Sequence, residues 1–488
     1  MNNHLQRNES LDALRGFAIL MMILSGSIAF GGVLPAWMYH AQVPPPLHKF
    51  DPSIFGITWV DLVFPFFLFS MGAAIPLSLK KYIEHKSGFR IVAWIAAKRF
   101  LLLTFFALFT EHMRAWVISD APGAKEHLLS LFAFVLLFFQ FYDNKNEKYK
   151  TVFLVAKIFA FLTALFLLWQ LPFWSGKGFD FYKSDIIIML LGNMAFFGTL
   201  IYYFTANKPY LRIGVLAFIM AVFLAAKEPG EGWAKEVFNF SHIGRFNFDW
   251  VYKFYFLKYL FIIIPGTIAG DWMLEEIKNK ELVVDNLPAG QAGLELEKKQ
   301  LNPQVENMLA LIAVALVCEN LYGLFTRMLL LNLIFTMLFC ALSIYFTRMT
   351  DKNNLFRKLV AAGSFLLLLG LFFEAYEGGI RKDGSTYSYY FVTSGLAFFT
   401  LLCFGVMAKR KYFSSTSKYF SLNGKNPMIA YVAGNLLLLP LLSLTALKPF
   451  WDSMNQNAFM GFSKGIVFTG IVSLITIFFV KRKWFWKT

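Results

Sequence analysis

Long apolar runs constrain this chain more than any other feature. Runs of about 18 or more apolar residues have the length of helices that cross a bilayer, and they recur along almost all of the 488 residues. The chain is 57% hydrophobic and 16% charged, whereas an average soluble domain has about 25% charged residues. These features predict an all-α, polytopic transmembrane helix bundle. They exclude a disordered chain, a secreted disulfide scaffold and an ordinary soluble enzyme.

Fourteen candidate spans can be counted, and twelve is the lower bound because two of the runs are short. The candidates lie near residues 11–33, 57–79, 99–118, 127–142, 151–171, 185–204, 210–226, 254–275, 306–325, 328–346, 357–376, 387–407, 426–446 and 462–480. Proline and glycine at Pro265–Gly266 and Gly270–Asp271 predict an interruption of the eighth run.

The basic residues predict the orientation. With the N-terminus in the cytoplasm, the segments on that side hold more than twice as many Lys and Arg residues as the outer loops. Cytoplasmic loops of membrane proteins carry this excess, so both termini are expected in the cytoplasm. The same rule accounts for the net charge of +16, so lipid and not nucleic acid is the expected partner.

A polar stretch at 276–304 predicts a cytoplasmic linker between an N-terminal membrane half, 1–275, and a C-terminal membrane half, 305–488. The three cysteines lie within apolar runs, and there is no Walker loop, HExxH pair or GxSxG elbow. The sequence therefore predicts no metal site and gives no support to ATP-driven transport.

Charged residues at the inner ends of the runs need a reason, because a charge inside the bilayer costs at least about 2.5–3.5 kcal/mol on insertion scales. Asp12 and Arg15 open the first run and are three residues apart, so they can pair on one helix face. They fit either a local ion pair or a basic lip for an anionic ligand. Lys98 and Arg99 begin the third run and fit either lipid headgroup contact or phosphate binding.

A second group of polar residues is expected on the outer side. Asp61 begins the second run, and His48 precedes it in a proline-rich loop. A histidine near a carboxylate suits general-base chemistry at neutral pH, although the helix N-terminus alone would also stabilise Asp61. Glu111 and His112 close the third run and fit either an outer polar cavity or an interfacial position.

The segments 10–17, 56–69 and 71–72 resemble the heparan-alpha-glucosaminide N-acetyltransferase family of transmembrane acyltransferases. Weaker similarity continues in order through 98–99, 265–271, 389–395 and 424–427. The resemblance implies a bacterial inner-membrane protein whose N-terminal half carries the acyltransferase motifs. It also implies transfer of an acetyl group from cytosolic acetyl-CoA to an amino sugar or glycan at the outer face.

The resemblance also implies roles for individual residues. Asp61 matches the family's acidic residue, which would orient a catalytic histidine that deprotonates the acceptor amine or carries the acetyl group. The family has this histidine ten residues before the acid, where this chain has Asp51, and His48 is the nearest histidine. The expected acetyl-CoA contacts are Arg15, Lys98, Arg99 and Asn426. The expected contacts to the acceptor are Asp12, Glu111 and His112.

One rival function stays open at this point, a non-catalytic transporter of a sugar, a lipid-linked precursor or a small metabolite. Many spans, broken helices and polar outer residues are typical of that class as well. A homodimer is compatible with either function.

Overall fold

The structure, a computed structural model, describes residues 8–85, 87–226, 232–286, 301–348, 354–445 and 447–488. Its first helices are α1 (Glu9–Ser27), α2 (Trp59–Glu84), α3 (Phe89–His112), α4 (Ala115–Ile118), α5 (Ala124–Phe141), α6 (Lys150–Gln170), α7 (Phe173–Gly176), α8 (Ile186–Phe204), α9 (Pro209–Ala225), α10 (Trp233–Phe238) and α11 (Leu260–Asn286). Short 3-10 helices cover Ala36–Met38, Glu147–Tyr149 and Phe254–Tyr259, and a two-stranded hairpin pairs β1 (His242–Ile243) with β2 (Phe246–Asn247).

The later part of the chain is also helical. Its helices are α12 (Pro303–Phe325), α13 (Leu329–Arg348), α14 (Leu355–Glu377), α15 (Tyr387–Lys409), α16 (Lys411–Gly424), α17 (Pro427–Ala433), α18 (Leu439–Ser443), α19 (Leu447–Ser453) and α20 (Ala458–Lys481). A π-helical stretch, Gly434–Leu438, joins α17 to α18.

The predicted polytopic helix bundle is confirmed, and the number of candidate spans falls within the expected range of twelve to fourteen. Among the described residues, twelve helices are long and apolar enough to cross a membrane, and a thirteenth arises if Lys411–Gly424 and Pro427–Ser443 form one span bent by 78°. The seventh predicted span is only the 17-residue helix α9. The thirteenth is broken before Pro427, because a proline disfavours helical geometry in the residue that precedes it.

The chain divides into two compact units. The first comprises Met1–Ser25, Phe30–Glu84 and Phe261–Gly424, and the second comprises Gly26–Ala29, His85–Leu260 and Lys425–Thr488. Each unit therefore draws on sequence from both sides of the predicted linker. Residues 276–286 of that linker continue α11, and residues 287–300 lie outside the described residues.

Close packing of α2 against α11 forms part of the first unit. A Cβ atom on Gly72 would collide with the carbonyl oxygen of Ile263, and one on Gly266 with the carbonyl oxygen of Phe69. Small residues at helix interfaces in membranes let two backbones approach in this way. The predicted interruption at Pro265 is wrong, because α11 runs through it as one helix.

Candidate functional site

Asp61 lies in the first turn of α2 and is fully buried. Its Oδ2 accepts hydrogen bonds from the backbone N–H groups of Thr58, at 2.9 Å, and Ala41, at 3.3 Å. The Thr58 hydroxyl donates to the Tyr39 carbonyl at 2.6 Å and lies 3.3 Å from the same Asp61 oxygen. Two backbone N–H donors on one oxygen satisfy a carboxylate that burial would otherwise destabilise, so Asp61 is firmly held.

The second carboxylate oxygen of Asp61 is used by a histidine. Nδ1 of His40 lies 2.7 Å from Oδ1 of Asp61, and the His40 side chain is 35% exposed. With Asp61 ionised, Nδ1 carries the proton and donates it, which leaves the lone pair on Nε2. The pair therefore joins a buried carboxylate to an imidazole whose outer edge can meet a substrate.

Lys382, in the loop between α14 and α15, completes the arrangement. Its Nζ lies 3.1 Å from Nδ1 and 3.3 Å from Nε2 of His40. An atom that is nearly equidistant from both ring nitrogens at this distance lies against the face of the imidazole ring, because a position in the ring plane would collide with the carbon between them. The lone pair of Nε2 lies in the ring plane and points outward. Lys382 therefore leaves the lone-pair direction of Nε2 open. We call these three residues the His40–Asp61–Lys382 cluster.

A buried tyrosine supports the backbone beneath this cluster. Pro65 has no N–H group, so the carbonyl oxygen of Asp61 lacks the donor that a helix normally supplies four residues later. The hydroxyl of Tyr389 in α15 donates to this carbonyl at 2.8 Å. Tyr389 thereby replaces the missing helical hydrogen bond at the residue that positions His40.

The loop before α2 brings His40 to Asp61 through a set of specific hydrogen bonds. Asp51 N–H donates to the carbonyl of Gln42 at 2.9 Å, which folds the loop back on itself. The buried amide of Gln42 donates to the carbonyls of Ile54 and Gly56, at 3.2 and 3.1 Å. Position 51, where the resembling family has its histidine, therefore lies beside residues 40–42.

His48 has a different environment from the one predicted. Its Nε2 accepts from Gly31 N–H at 3.0 Å, and its ring packs edge-on against Phe30 and Tyr39. Burial raises the pKa of the Tyr39 phenol that packs against His48, so this neighbour is a neutral ring and not a carboxylate. The structure corrects the expected partner of Asp61 from His48 to His40, because the folded-back loop presents position 40 at the carboxylate.

Asp12 and Arg15 form the predicted ion pair on α1. Arg15 donates to Oδ1 of Asp12 at 3.2 Å and to the carbonyl oxygen of Ser70 in α2 at 3.3 Å. Ser70 is nine residues beyond Asp61 in α2, which at 1.5 Å per residue is about 14 Å along the helix. The first unit therefore holds a guanidinium group at one depth of α2 and an imidazole at another.

The other predicted acetyl-CoA contacts belong to the second unit. Helix α3 begins at Phe89, ten residues before the predicted start, so Lys98 and Arg99 lie in its third turn. Asn426 binds the backbone near the C-terminus. Its side-chain N–H donates to the carbonyl of Trp484 at 2.8 Å, and its side-chain oxygen accepts from Trp486 N–H at 3.2 Å. Both polar groups of the Asn426 side chain are therefore bonded to backbone atoms.

Glu111 and His112 also lie in the second unit, at the end of α3. Arg114 contacts Glu111 at 2.8 Å and Asp185 at 3.0 Å, and the hydroxyl of Tyr431 donates to Asp185 at 2.7 Å. His112 is fully buried, with Nδ1 2.8 Å from the Leu108 carbonyl and Nε2 accepting from Asp180 N–H at 3.3 Å.

Sequence reasoning missed His40 and Lys382. Two histidines stand in the loop before Asp61, and spacing alone favoured the later one. Lys382 lies more than 300 residues from His40 and has no local sequence signal. The length of the 34–56 loop, enough for a folded-back path, was the available signal for His40.

Comparison with known proteins agrees with the early motifs. Human heparan-alpha-glucosaminide N-acetyltransferase is 35% identical over 98 residues, which are 20% of this chain and 13% of that protein. The chain thus matches only a small part of the length of that curated relative. Residues 7–273 match the family described as Domain of unknown function (DUF5009). Since this match covers more than half of its 488 residues, the chain belongs to that family.

Proposed function

We propose that this protein is a membrane acetyltransferase that moves an acetyl group from acetyl-CoA to the amine of an amino sugar or glycan, with His40 as general base. The observation that carries the proposal is the 2.7 Å contact between partly exposed His40 and fully buried Asp61. The partial similarity to a human acetyltransferase supports the reaction class. The bacterial inner membrane is the proposed location.

The cluster suits attack of an amine on a thioester. Nε2 of His40 takes a proton from the amine as its nitrogen forms a bond to the acetyl carbonyl carbon. The carbon–sulfur bond breaks, its electron pair leaves with the sulfur, and the thiolate then receives the proton from Nε2. Asp61 stabilises the transient imidazolium. Lys382 places a positive charge where the carbonyl oxygen gains negative charge.

The position of Arg15 supports binding of the acyl donor, acetyl-CoA, along α2. Its guanidinium bonds the Ser70 carbonyl about 14 Å along the helix from Asp61, and guanidinium groups bind phosphate well. In this proposal Arg15 binds phosphates of acetyl-CoA, and Asp12 orients Arg15.

The direct test is labelled acetyl transfer from acetyl-CoA to glucosamine by the full-length protein in proteoliposomes. We expect His40→Ala to reduce transfer by about 100-fold or more, because general-base catalysis contributes roughly 10²–10⁴-fold. His48→Ala is the matched control from the same loop and is expected to stay within about twofold of wild type, because its removal leaves the general base in place.

Two results would contradict the proposal. Loss of transfer in His48→Ala with full activity in His40→Ala would move the catalytic role to His48. Flux of a sugar across the membrane without any need for acetyl-CoA would favour the transporter instead.

A further inference from the structure

Helix α13 carries a polar face inside the first unit. Every third or fourth residue on this face is polar and buried: Asn332, Thr336, Cys340, Ser343 and Thr347. The opposite face is apolar and exposed, as lipid contact requires: Leu331, Phe335, Leu338, Leu342 and Tyr345. Polar residues in a membrane span are costly and mark polar pathways or sites, so this face needs an explanation that the acetyl-transfer proposal does not give.

A carboxylate of the neighbouring helix meets this face. Oε2 of Glu319 in α12 accepts from the Thr336 hydroxyl and from the Asn320 amide, each at 3.1 Å. The Asn332 amide nitrogen, in its hydrogen-bonding orientation, lies 2.7 and 2.9 Å from the two carboxylate oxygens. Glu319 is half-buried, and the groups that donate hydrogen bonds to it are neutral.

No positive charge balances Glu319 among the described residues. Arg327, in the loop after α12, pairs with Glu374, and Lys409 of α15 pairs with Glu306 at 2.7 Å. On α13 the titratable group closest along the helix to Thr336 is the thiol of Cys340, about one turn away. On α15, the hydroxyl of Tyr389 bonds the Asp61 carbonyl and that of Tyr390 bonds Ser385. An ionised Glu319 would thus be an uncompensated charge on a membrane helix.

The neighbours of Glu319 can serve both of its protonation states. An amide or a hydroxyl is donor and acceptor at once, so rotation of Asn320, Asn332 or Thr336 turns a donor to the carboxylate into an acceptor from the carboxylic acid. The side-chain oxygen of Asn320 is buried and has no hydrogen-bond partner among the described residues. It is an acceptor that a protonated Glu319 would use.

The polar face of α13 also leads away from Glu319. From Thr336 it continues through Cys340 and Ser343 to Thr347, about 16 Å along the helix. The Ser343 hydroxyl is buried without a partner in the described parts of the chain. At Thr347 the face reaches a cavity of about 390 Å³, which Arg348 and Ser364 also line.

We propose that Glu319, with Asn320, Asn332 and Thr336, forms a reversible proton-binding site inside the membrane span, reached from the Thr347 cavity along the polar face of α13. Protonation removes the uncompensated charge from the membrane helix, and the surrounding amides and hydroxyl reorient to accept the new O–H. The site is separate from the His40–Asp61–Lys382 cluster, so it holds or fails independently of acetyl transfer.

Infrared difference spectroscopy of the full-length protein in lipid vesicles, recorded against pH, tests the site directly. We expect a carboxylic acid C=O band that titrates in wild type and is lost in Glu319→Gln. Glu306→Gln is the matched control, because Glu306 is a buried carboxylate of the same helix that is paired with Lys409 and Arg410. A band that persists in Glu319→Gln, or is lost equally in Glu306→Gln, would overturn the proposal.

Further variants keep the test decisive if Glu319→Gln does not fold. Thr336→Val keeps the carboxyl group and removes one hydrogen bond, so the band should remain and change frequency. An unchanged frequency would overturn the assignment.

The titration of the band should be the same in sodium and potassium salts. A band that depends on sodium would mean that Glu319 binds a metal ion and not a proton, which would overturn the proposal. Ser343→Ala with Thr347→Val should slow the response to a pH jump several-fold, and an unchanged rate would overturn the proposed route.

Discussion

The two units each hold a carboxylate cluster near a helix end, and the clusters differ in what remains available. In the second unit, Arg114 bridges Glu111 and Asp185, and Tyr431 completes the bonding of Asp185. In the first unit, Asp61 is saturated, but the His40 imidazole it holds keeps one nitrogen for other partners. We infer that His40 is the better catalytic candidate, because one of its nitrogens stays available while Asp61 holds the ring in place.

Among the variants discussed here, the largest effect is expected from Asp61→Asn, which replaces the buried carboxylate of the His40–Asp61–Lys382 cluster. An asparagine amide can donate to Nδ1, which would move the imidazole proton to Nε2 and remove the base. We expect kcat for acetyl transfer to fall by about 100-fold, with KM for acetyl-CoA little changed. Asp51→Asn is the control, since the Asp51 carboxyl accepts hydrogen bonds from Ser53, which lower its pKa. Equal losses in both variants would mean that Asp61 has no special role.

Arg114→Met should lower the stability of the protein and leave its chemistry unchanged, because Arg114 bridges Glu111 and Asp185 in the second unit. Glu111 and Asp185 would lose the cation that neutralises them, and removal of one partner from a buried ion pair costs about 3 kcal/mol or more. We expect a clear fall in melting temperature in lipid vesicles or detergent, whereas the specific activity of the folded protein stays near wild type. A stable protein with a large loss of kcat would place the second cluster in the chemistry.

Lys382→Gln should have a smaller effect on the reaction. The variant removes the positive charge against the His40 ring but leaves the hydrogen bond between His40 and Asp61. About a tenfold decrease in kcat is expected, because the negative charge that develops on the carbonyl oxygen loses a positive neighbour. Lys49→Gln, at an exposed position of the same unit, should leave kcat unchanged.

The smallest effect is expected from Tyr389→Phe. Loss of the hydroxyl leaves the Asp61 carbonyl without a donor, which costs about 1–2 kcal/mol of folding free energy. Tyr390→Phe serves as a comparison, because its hydroxyl bonds Ser385 and lies outside the cluster. Denaturation of the two variants measures the stability difference, and an equal effect would show that Tyr389 gives no particular support to α2.

The sequence alone determined that this chain forms membrane helices, because 18-residue apolar runs have few other stable structures. It also determined the Asp12–Arg15 pair, since residues three apart share a helix face, and it singled out Asp61. Local spacing carries this kind of information.

The choice of histidine that contacts Asp61, and of the lysine that joins them, follows from the three-dimensional packing. His40 reaches the carboxylate because the 34–56 loop folds back through the hydrogen bond from Asp51 to Gln42. Lys382 reaches His40 from a loop more than 300 residues later. The Tyr389 hydroxyl, from a helix equally distant in sequence, replaces the N–H missing at Pro65. Such contacts depend on packing between distant segments, and spacing along a sequence does not encode distance in space.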